Sequence, residues 1–158
     1  MLLVHDANVL IDLSEGDLLA ALFAGPWRIV TPNALFYREL ENSHAEFIDF
    51  GLELLEVHGE WVLRSTQWHG AYPKTSAMDR LCLALALQEN CPLITGDAQL
   101  KTAAEAEGCT VHGTIWLIEN LVETEIVSRA QALAGYDAME NAGRRLPFGR
   151  ARRRLREE

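Results

Sequence analysis

The chain begins with a short apolar run, Leu2-Leu3-Val4, that passes through His5 into an acid, Asp6, and a second apolar segment starts at once. Such a run reads as a strand buried on both faces. Val9, Leu10 and Leu13 then have the spacing of a helix's buried stripe. A buried strand feeding a helix is the opening of an open α/β sheet, and such sheets place ligands outside the carboxyl ends of their strands. Asp6 stands at that end. As a single residue it has a second reading, because Asp6 or Asn8 could simply cap the helix that follows.

The rest of the chain repeats the alternation. Strand character recurs at Trp27–Thr31, Leu52–Val57, Pro92–Thr95 and Cys109–Val111. Helical spacing predicts helices over Asn8–Phe23, Pro32–Leu40, Ala45–Phe50, Ser76–Glu89, Ala98–Glu107, Ile115–Val122 and Ser128–Ala142, and around Trp61, Leu63 and Trp68. Leu81, Leu83, Ala84, Leu85 and Leu87 give the Ser76 helix an apolar body, as in a buried helix, and Cys82 reads as core. Strands alternating with helices imply a parallel sheet with right-handed crossovers.

At 158 residues one core is expected. No apolar run approaches the ~20 residues of a membrane helix, and no basic segment precedes the first apolar residues, so no signal peptide is expected. Cys82, Cys91 and Cys109 lack C-x-x-C spacing, which fits a reducing, cytoplasmic compartment. Charge is split. Residues 1–143 carry 7 basic and 21 acidic side chains, whereas residues 144–158 carry 7 arginines and 2 glutamates. The reading is therefore a domain over 1–143 with an Arg-rich helical tail, 144–158, belonging to it. Pro147 is placed to begin a last helix, Phe148–Arg156. The acidic body argues against general nucleic-acid affinity. The tail is expected to lie against negative surface of its own subunit or of a partner.

Asp97 occupies the same kind of position as Asp6, after Pro92-Leu93-Ile94-Thr95 and a glycine. Asp79 lies in the first turn of the Ser76 helix, where Ser76 and Asp79 also have the spacing of a capping box. Glu39 lies about two turns into the helix after the second strand, with Glu41 as an alternative. Several carboxylates at one sheet edge repel one another, and a hard divalent cation resolves that repulsion. Mg²⁺ takes oxygen ligands and keeps several waters. It can lower the pKa of a bound water and stabilise charge on a phosphoryl oxygen. In outline this is a phosphodiester-hydrolysing site.

These residues resemble the motifs of PIN-domain ribonucleases, and among them the VapC-like toxins of bacterial type II toxin–antitoxin pairs. Asp6-Ala7-Asn8 is similar to the family's opening motif. Thr31-Pro32 with Glu39-Leu40 resembles the second, Ser76-Ala77-Met78-Asp79 with Leu83-Ala84-Leu85-Ala86 the third, and Leu93-Ile94-Thr95-Gly96-Asp97 the fourth. His112-Gly113-Thr114-Ile115-Trp116-Leu117 resembles a stretch near the end of some members. The resemblance implies an α/β, PIN-like three-layer fold, with a five-stranded parallel sheet of order 3-2-1-4-5 flanked by helices. It implies an Mg²⁺ or Mn²⁺ cluster of Asp6, Glu39, Asp79 and Asp97, supported by Asn8 and Thr95. It further implies an RNA substrate, a small cognate antitoxin and a homodimer. No basic groove for RNA is visible, and only Lys74 and Arg80 are basic near the third motif.

Other classes fit less well. A haloacid-dehalogenase-like phosphatase wants a second aspartate where Asn8 stands. A phospho-receiver domain wants an acid pair after the first strand and a lysine after the fifth. The phosphate-binding loop G-x-x-x-x-G-K-[ST] is absent. The five histidines show no metal-ligand spacing. The rival from another class is a catalytically inactive PIN fold that serves only to bind a partner.

Overall fold

A computed structural model describes residues 1–157. The elements run β1 (Leu2–His5), α1 (Ala7–Glu15), α2 (Leu19–Ala24), β2 (Arg28–Pro32), then α3 (Asn33–Leu35), a π-helical turn (Phe36–Leu40) and α4 (Glu41–His44). They continue with α5 (Phe47–Phe50), β3 (Glu53–Leu55), α6 (Gly59–Ala71), α7 (Ala77–Gln88), β4 (Leu93–Ile94) and α8 (Ala98–Ala106). The chain closes with β5 (Val111–His112), α9 (Thr114–Glu123), α10 (Arg129–Asn141) and α11 (Phe148–Glu157).

The five strands form one sheet in the order β3-β2-β1-β4-β5, every neighbouring pair parallel. This is the expected α/β architecture. From β1 the chain moves outward through β2 and β3, then returns on the other side of β1 to make β4 and β5. The reversal brings the carboxyl ends of β1 and β4 side by side, with His5 registered on Ile94. Leu3 and Val4 are fully buried. Helix α7 packs on β1, β2 and β4 and against α6. Its Cys82, Leu83, Ala84, Leu85 and Ala86 are buried, as its apolar body demands. No helix among the described residues is long and apolar enough to cross a membrane.

The structure departs from the expected elements in three places. The helix expected over Asn8–Phe23 breaks at Gly16-Asp17. Leu18 N–H bonds the Leu13 carbonyl and Asp17 N–H the Ser14 carbonyl, a Schellman-type stop in which Asp17 takes the left-handed position at φ 55°. A Cβ on Gly16 would lie 2.5 Å from Met139 Cε and 3.2 Å from the Gly135 carbonyl oxygen, so the end of α1 touches α10 directly. The helix expected over Pro32–Leu40 ends in the π turn. The fifth strand starts at Val111 rather than Cys109, because Cys109 N–H is spent on the Ala104 carbonyl, closing α8 around Gly108 at φ 81°.

The tail lies on its own body. Phe148, Ala151 and Leu155 are buried, and Phe148 packs 6.3 Å from the Tyr136 ring of α10. Arg152 pairs with Asp137 and Glu140, and Arg154 with Glu119.

Candidate metal centre and adjoining cleft

Asp6 leaves β1 and caps α1. Its Oδ1 accepts the Val9 N–H at 2.9 Å, and its Oδ2 accepts the Thr95 hydroxyl from the end of β4. Thr95 Oγ1 in turn accepts the Asp97 N–H at 3.1 Å. The two strand ends are thus joined by an Asp6–Thr95–Asp97 relay. Asp97 caps α8, its Oδ1 accepting N–H groups of Gln99 and Leu100 at 2.8 and 3.0 Å. Asp79 and Ser76 form a reciprocal capping box at 3.0 Å in both directions. The capping readings of Asp6 and Asp79 are therefore realised, and Asp97 is a cap as well. They do not compete with a role in binding a cation, since a cap occupies only part of a carboxylate's accepting capacity.

Electrostatics tie three of the acids together. Burial pushes the Asp6 carboxyl up from 3.8 to about 6, against the pull of Thr95 and Val9. The charges acting on Asp6 are both carboxylates, Asp79 and Asp12, and they push the same way. Glu39 is raised by burial and then by Asp79, with Arg38 opposing. The buried Cys82 thiol is raised by burial, and then by Asp6, Asp79 and Glu39 in turn. The charges of all three carboxylates are therefore felt at Cys82 on α7. Glu39 belongs to the π turn, an interruption that often marks functional positions. Glu41 begins the next helical turn and is exposed.

The four expected ligands do not close on one point. Among the described residues, no group of three or more His, Cys, Asp or Glu side chains is placed to hold a metal ion together. Asp97 joins the set only through Thr95. Asn8, expected as polar support, is exposed and offers its Oδ1 to Arg144 at 3.2 Å.

A cleft of about 370 Å³ is lined by Asp6, Asn8, Asp12, Asp97, Arg144 and Arg145. Its lining contains an ion pair that sequence reasoning missed. Asp12 Oδ1 accepts Arg144 Nε at 2.6 Å, and Asp12 Oδ2 accepts the Thr114 hydroxyl at 2.9 Å. Asp12 is raised by burial, while Arg144 and Thr114 pull it back. The available signal was an acid inside the apolar stripe Val9, Leu10, Leu13, since a buried carboxylate requires a partner. Arg80, by contrast, is buried and spends its guanidinium on backbone carbonyls of Ser65 and Thr75. It ties α7 to α6 and takes no part in the cleft.

A family model for the PIN domain matches residues 2–157. The chain belongs to the PIN-domain family. No curated protein matches it. PIN domains are generally nucleases, and the match runs through the Arg-rich tail to residue 157.

Proposed function

We propose that this PIN domain is an Mg²⁺- or Mn²⁺-dependent endoribonuclease and the toxin of a bacterial toxin–antitoxin pair, with residues 144–158 as an integral tail of the nuclease domain. The observation that carries the nuclease reading is the pairing of β1 with β4, which sets Asp6 and Asp97 at adjoining strand ends and links them through Thr95, with the charge of Asp79 acting on both Asp6 and Glu39.

The donor set suits a hard dication. It consists of oxygens only, and the charges acting on the buried Asp6 are negative. Mg²⁺ commonly takes one or two carboxylates directly and fills its sphere with water and substrate phosphate, so it does not need three side chains in contact. Asp6 would hold the ion, with Asp79, Asp97 and Glu39 around it. When bound, such an ion lowers the pKa of a water and stabilises charge on the phosphoryl oxygen. The chain's own groups prepare the place. The Thr95 hydroxyl holds Asp6 Oδ2, the Val9 N–H holds Oδ1, and the β1–β4 pairing sets the spacing of Asp6 from Asp97.

The test is RNA cleavage by purified protein in Mg²⁺ or Mn²⁺. Asp6→Asn and Asp97→Asn should lose cleavage with the fold retained, and expression of the wild type alone should slow bacterial growth. Unchanged cleavage by both variants refutes the assignment. The toxin reading also expects a small co-purifying antitoxin that suppresses cleavage, a homodimer mass at micromolar concentration and a cytoplasmic location.

One observation favours a second reading, an inactive PIN fold used for binding. Three of the acids serve as helix caps, and among the described residues no three acids are placed to hold one ion. A wild type that holds RNA or a protein partner and cleaves nothing in either metal would establish it.

A further inference from the structure

The body of the chain is strongly acidic, and RNA is a polyanion. Any substrate approaching Asp6 needs positive charge close by. The cleft beside Asp6 continues into a second one, also about 370 Å³, and the two share Gly96, Arg145 and Leu146. Arg145, Arg150 and Arg154 line the second cleft. Arg154 is held by Glu119 through two bonds of 2.8 and 3.0 Å. Arg145 and Arg150 are exposed, and their side chains form no hydrogen bond or ion pair with any described residue. The tail thus divides its arginines. Those at 144, 152 and 154 are consumed by acids of the body, and two that face the clefts are left over.

The leftover pair is also placed by the backbone. Past the end of helix α10, Gly143 takes φ 83°, the Arg144 N–H bonds the Met139 carbonyl and the Gly143 N–H bonds the Glu140 carbonyl, so the turn is fixed. Arg144 is then locked on Asp12 and Asn8. Three residues past Arg145, Phe148 is buried in the core. Arg145 therefore stands between two anchors at the mouth of the acidic cleft, and Arg150 lies on the exposed face of α11.

We propose that Arg145 and Arg150 clamp the phosphodiester backbone of single-stranded RNA beside the acidic site, and that the Arg144–Asp12–Thr114 lock is the positioning element for that clamp. The proposal rests on the nuclease reading for its substrate. A guanidinium presents a planar fork to phosphate. The pair adjoins the carboxylates that would work on a neighbouring phosphate, and this continuity favours RNA over an acidic protein.

The experiment compares the wild type, R145A/R150A and R153A/R156A, the last as a control, since Arg153 and Arg156 are exposed tail arginines that line neither cleft. Cleavage of a fluorescent single-stranded oligoribonucleotide in Mn²⁺ gives KM and kcat. Anisotropy of the same oligonucleotide, with each variant also carrying Asp6→Asn, gives Kd across a salt series. We expect KM and Kd to rise tenfold or more in R145A/R150A with kcat within twofold, the control unchanged, and the melting temperature of all three equal. The slope of log Kd against log salt should shrink by about 1.4, the value for two single-strand phosphate contacts. If the wild type cleaves and R145A/R150A matches it in KM and Kd, the clamp is wrong and the nuclease reading stands. If the wild type does not cleave, the nuclease reading fails, and the anisotropy series decides the clamp alone: equal Kd values overturn it, and a tenfold rise with the reduced slope upholds it. A variant that keeps RNA affinity but loses a co-purifying acidic protein also overturns it.

Discussion

Asp6→Asn should make the metal-free protein more stable, although it alters the most buried acid of the candidate site. The ordinary expectation for a buried, hydrogen-bonded side chain is the reverse. Asn keeps an oxygen for the Val9 N–H, so the cap on α1 survives. The amide removes the charge, and that charge is costly: a carboxyl moved from 3.8 to about 6 penalises the ionised folded state by about 3 kcal/mol, at about 1.4 kcal/mol for each decade of proton affinity. The sign follows from linkage. The folded-state value is the higher one, so the folded protein binds the proton more tightly than the unfolded chain. The penalty is complete well above pH 6, shrinks as pH falls through that value, and vanishes below 3.8. Between pH 8 and pH 5 about 1.4 kcal/mol of it should disappear. In chelator at pH 8, Asp6→Asn should therefore melt higher than wild type by about 6–12 °C for a domain of this size, less whatever is lost where the amide meets the Thr95 hydroxyl. The gap should narrow clearly at pH 5. Calorimetry of both proteins at both values measures it, and taking the difference removes every titration common to the two. Metal supplies the opposite arm. At a hundredfold excess over Kd, Mg²⁺ should return about 2.7 kcal/mol to the wild type and little to the variant. A variant that melts lower at pH 8, with the same gap at pH 5 and no metal response in either protein, refutes both the electrostatic account and the cation site.

Three further outcomes follow from buried groups. His5 is fully buried, neither ring nitrogen has a partner among the described residues, and burial takes its pKa from 6.5 down to about 3; stability should fall as pH drops below 6.5, by about 2 kcal/mol at pH 5, and denaturant titrations of His5→Leu made alongside Asp6→Asn should lack that loss. Arg144→Ala leaves Asp12 buried with Thr114 as its remaining side-chain partner, which should cost about 3 kcal/mol and raise trypsin cutting within 145–157; a variant as stable and as protease-resistant as wild type would show that the lock holds nothing. Gly135→Ala would put a Cβ 2.7 Å from Leu18 Cδ1 and 3.2 Å from the Gly16 carbonyl oxygen, so thermal melting should drop by the equivalent of about 1–3 kcal/mol, and an unchanged melting temperature would mean that the two helices do not touch as described.

Local sequence carries a good part of this molecule. Leu2-Leu3-Val4 has no stable place except a buried strand, and the apolar body of 77–88 has none except a buried helix, because each removes from water more apolar surface than any exposed arrangement permits. The acids after β1 and β4 are legible for the same reason, since a polar residue that ends a buried run must lie at the sheet's edge. Ser76 and Asp79 announce their capping box through a spacing of three. The strand order, in contrast, was supplied by family resemblance. Nothing in the spacing of five short apolar runs says which will pair, and the sheet decides that through contacts between segments far apart in the chain. The break at Gly16-Asp17 has a local signal in the polar run Ser14-Glu15-Gly16-Asp17, but the close approach of Gly135 and Met139 to that turn, more than a hundred residues later, is tertiary. The π turn that carries Glu39 leaves no periodic signature either. The largest gap concerned the tail. Seven arginines in 144–158 read as one block of charge, yet Asp12 is separated from Arg144 by 132 positions, and Asp137, Glu140 and Glu119 by shorter spans. Which guanidinium groups are neutralised and which stay free for phosphate is settled by the acids that folding happens to bring beneath each one.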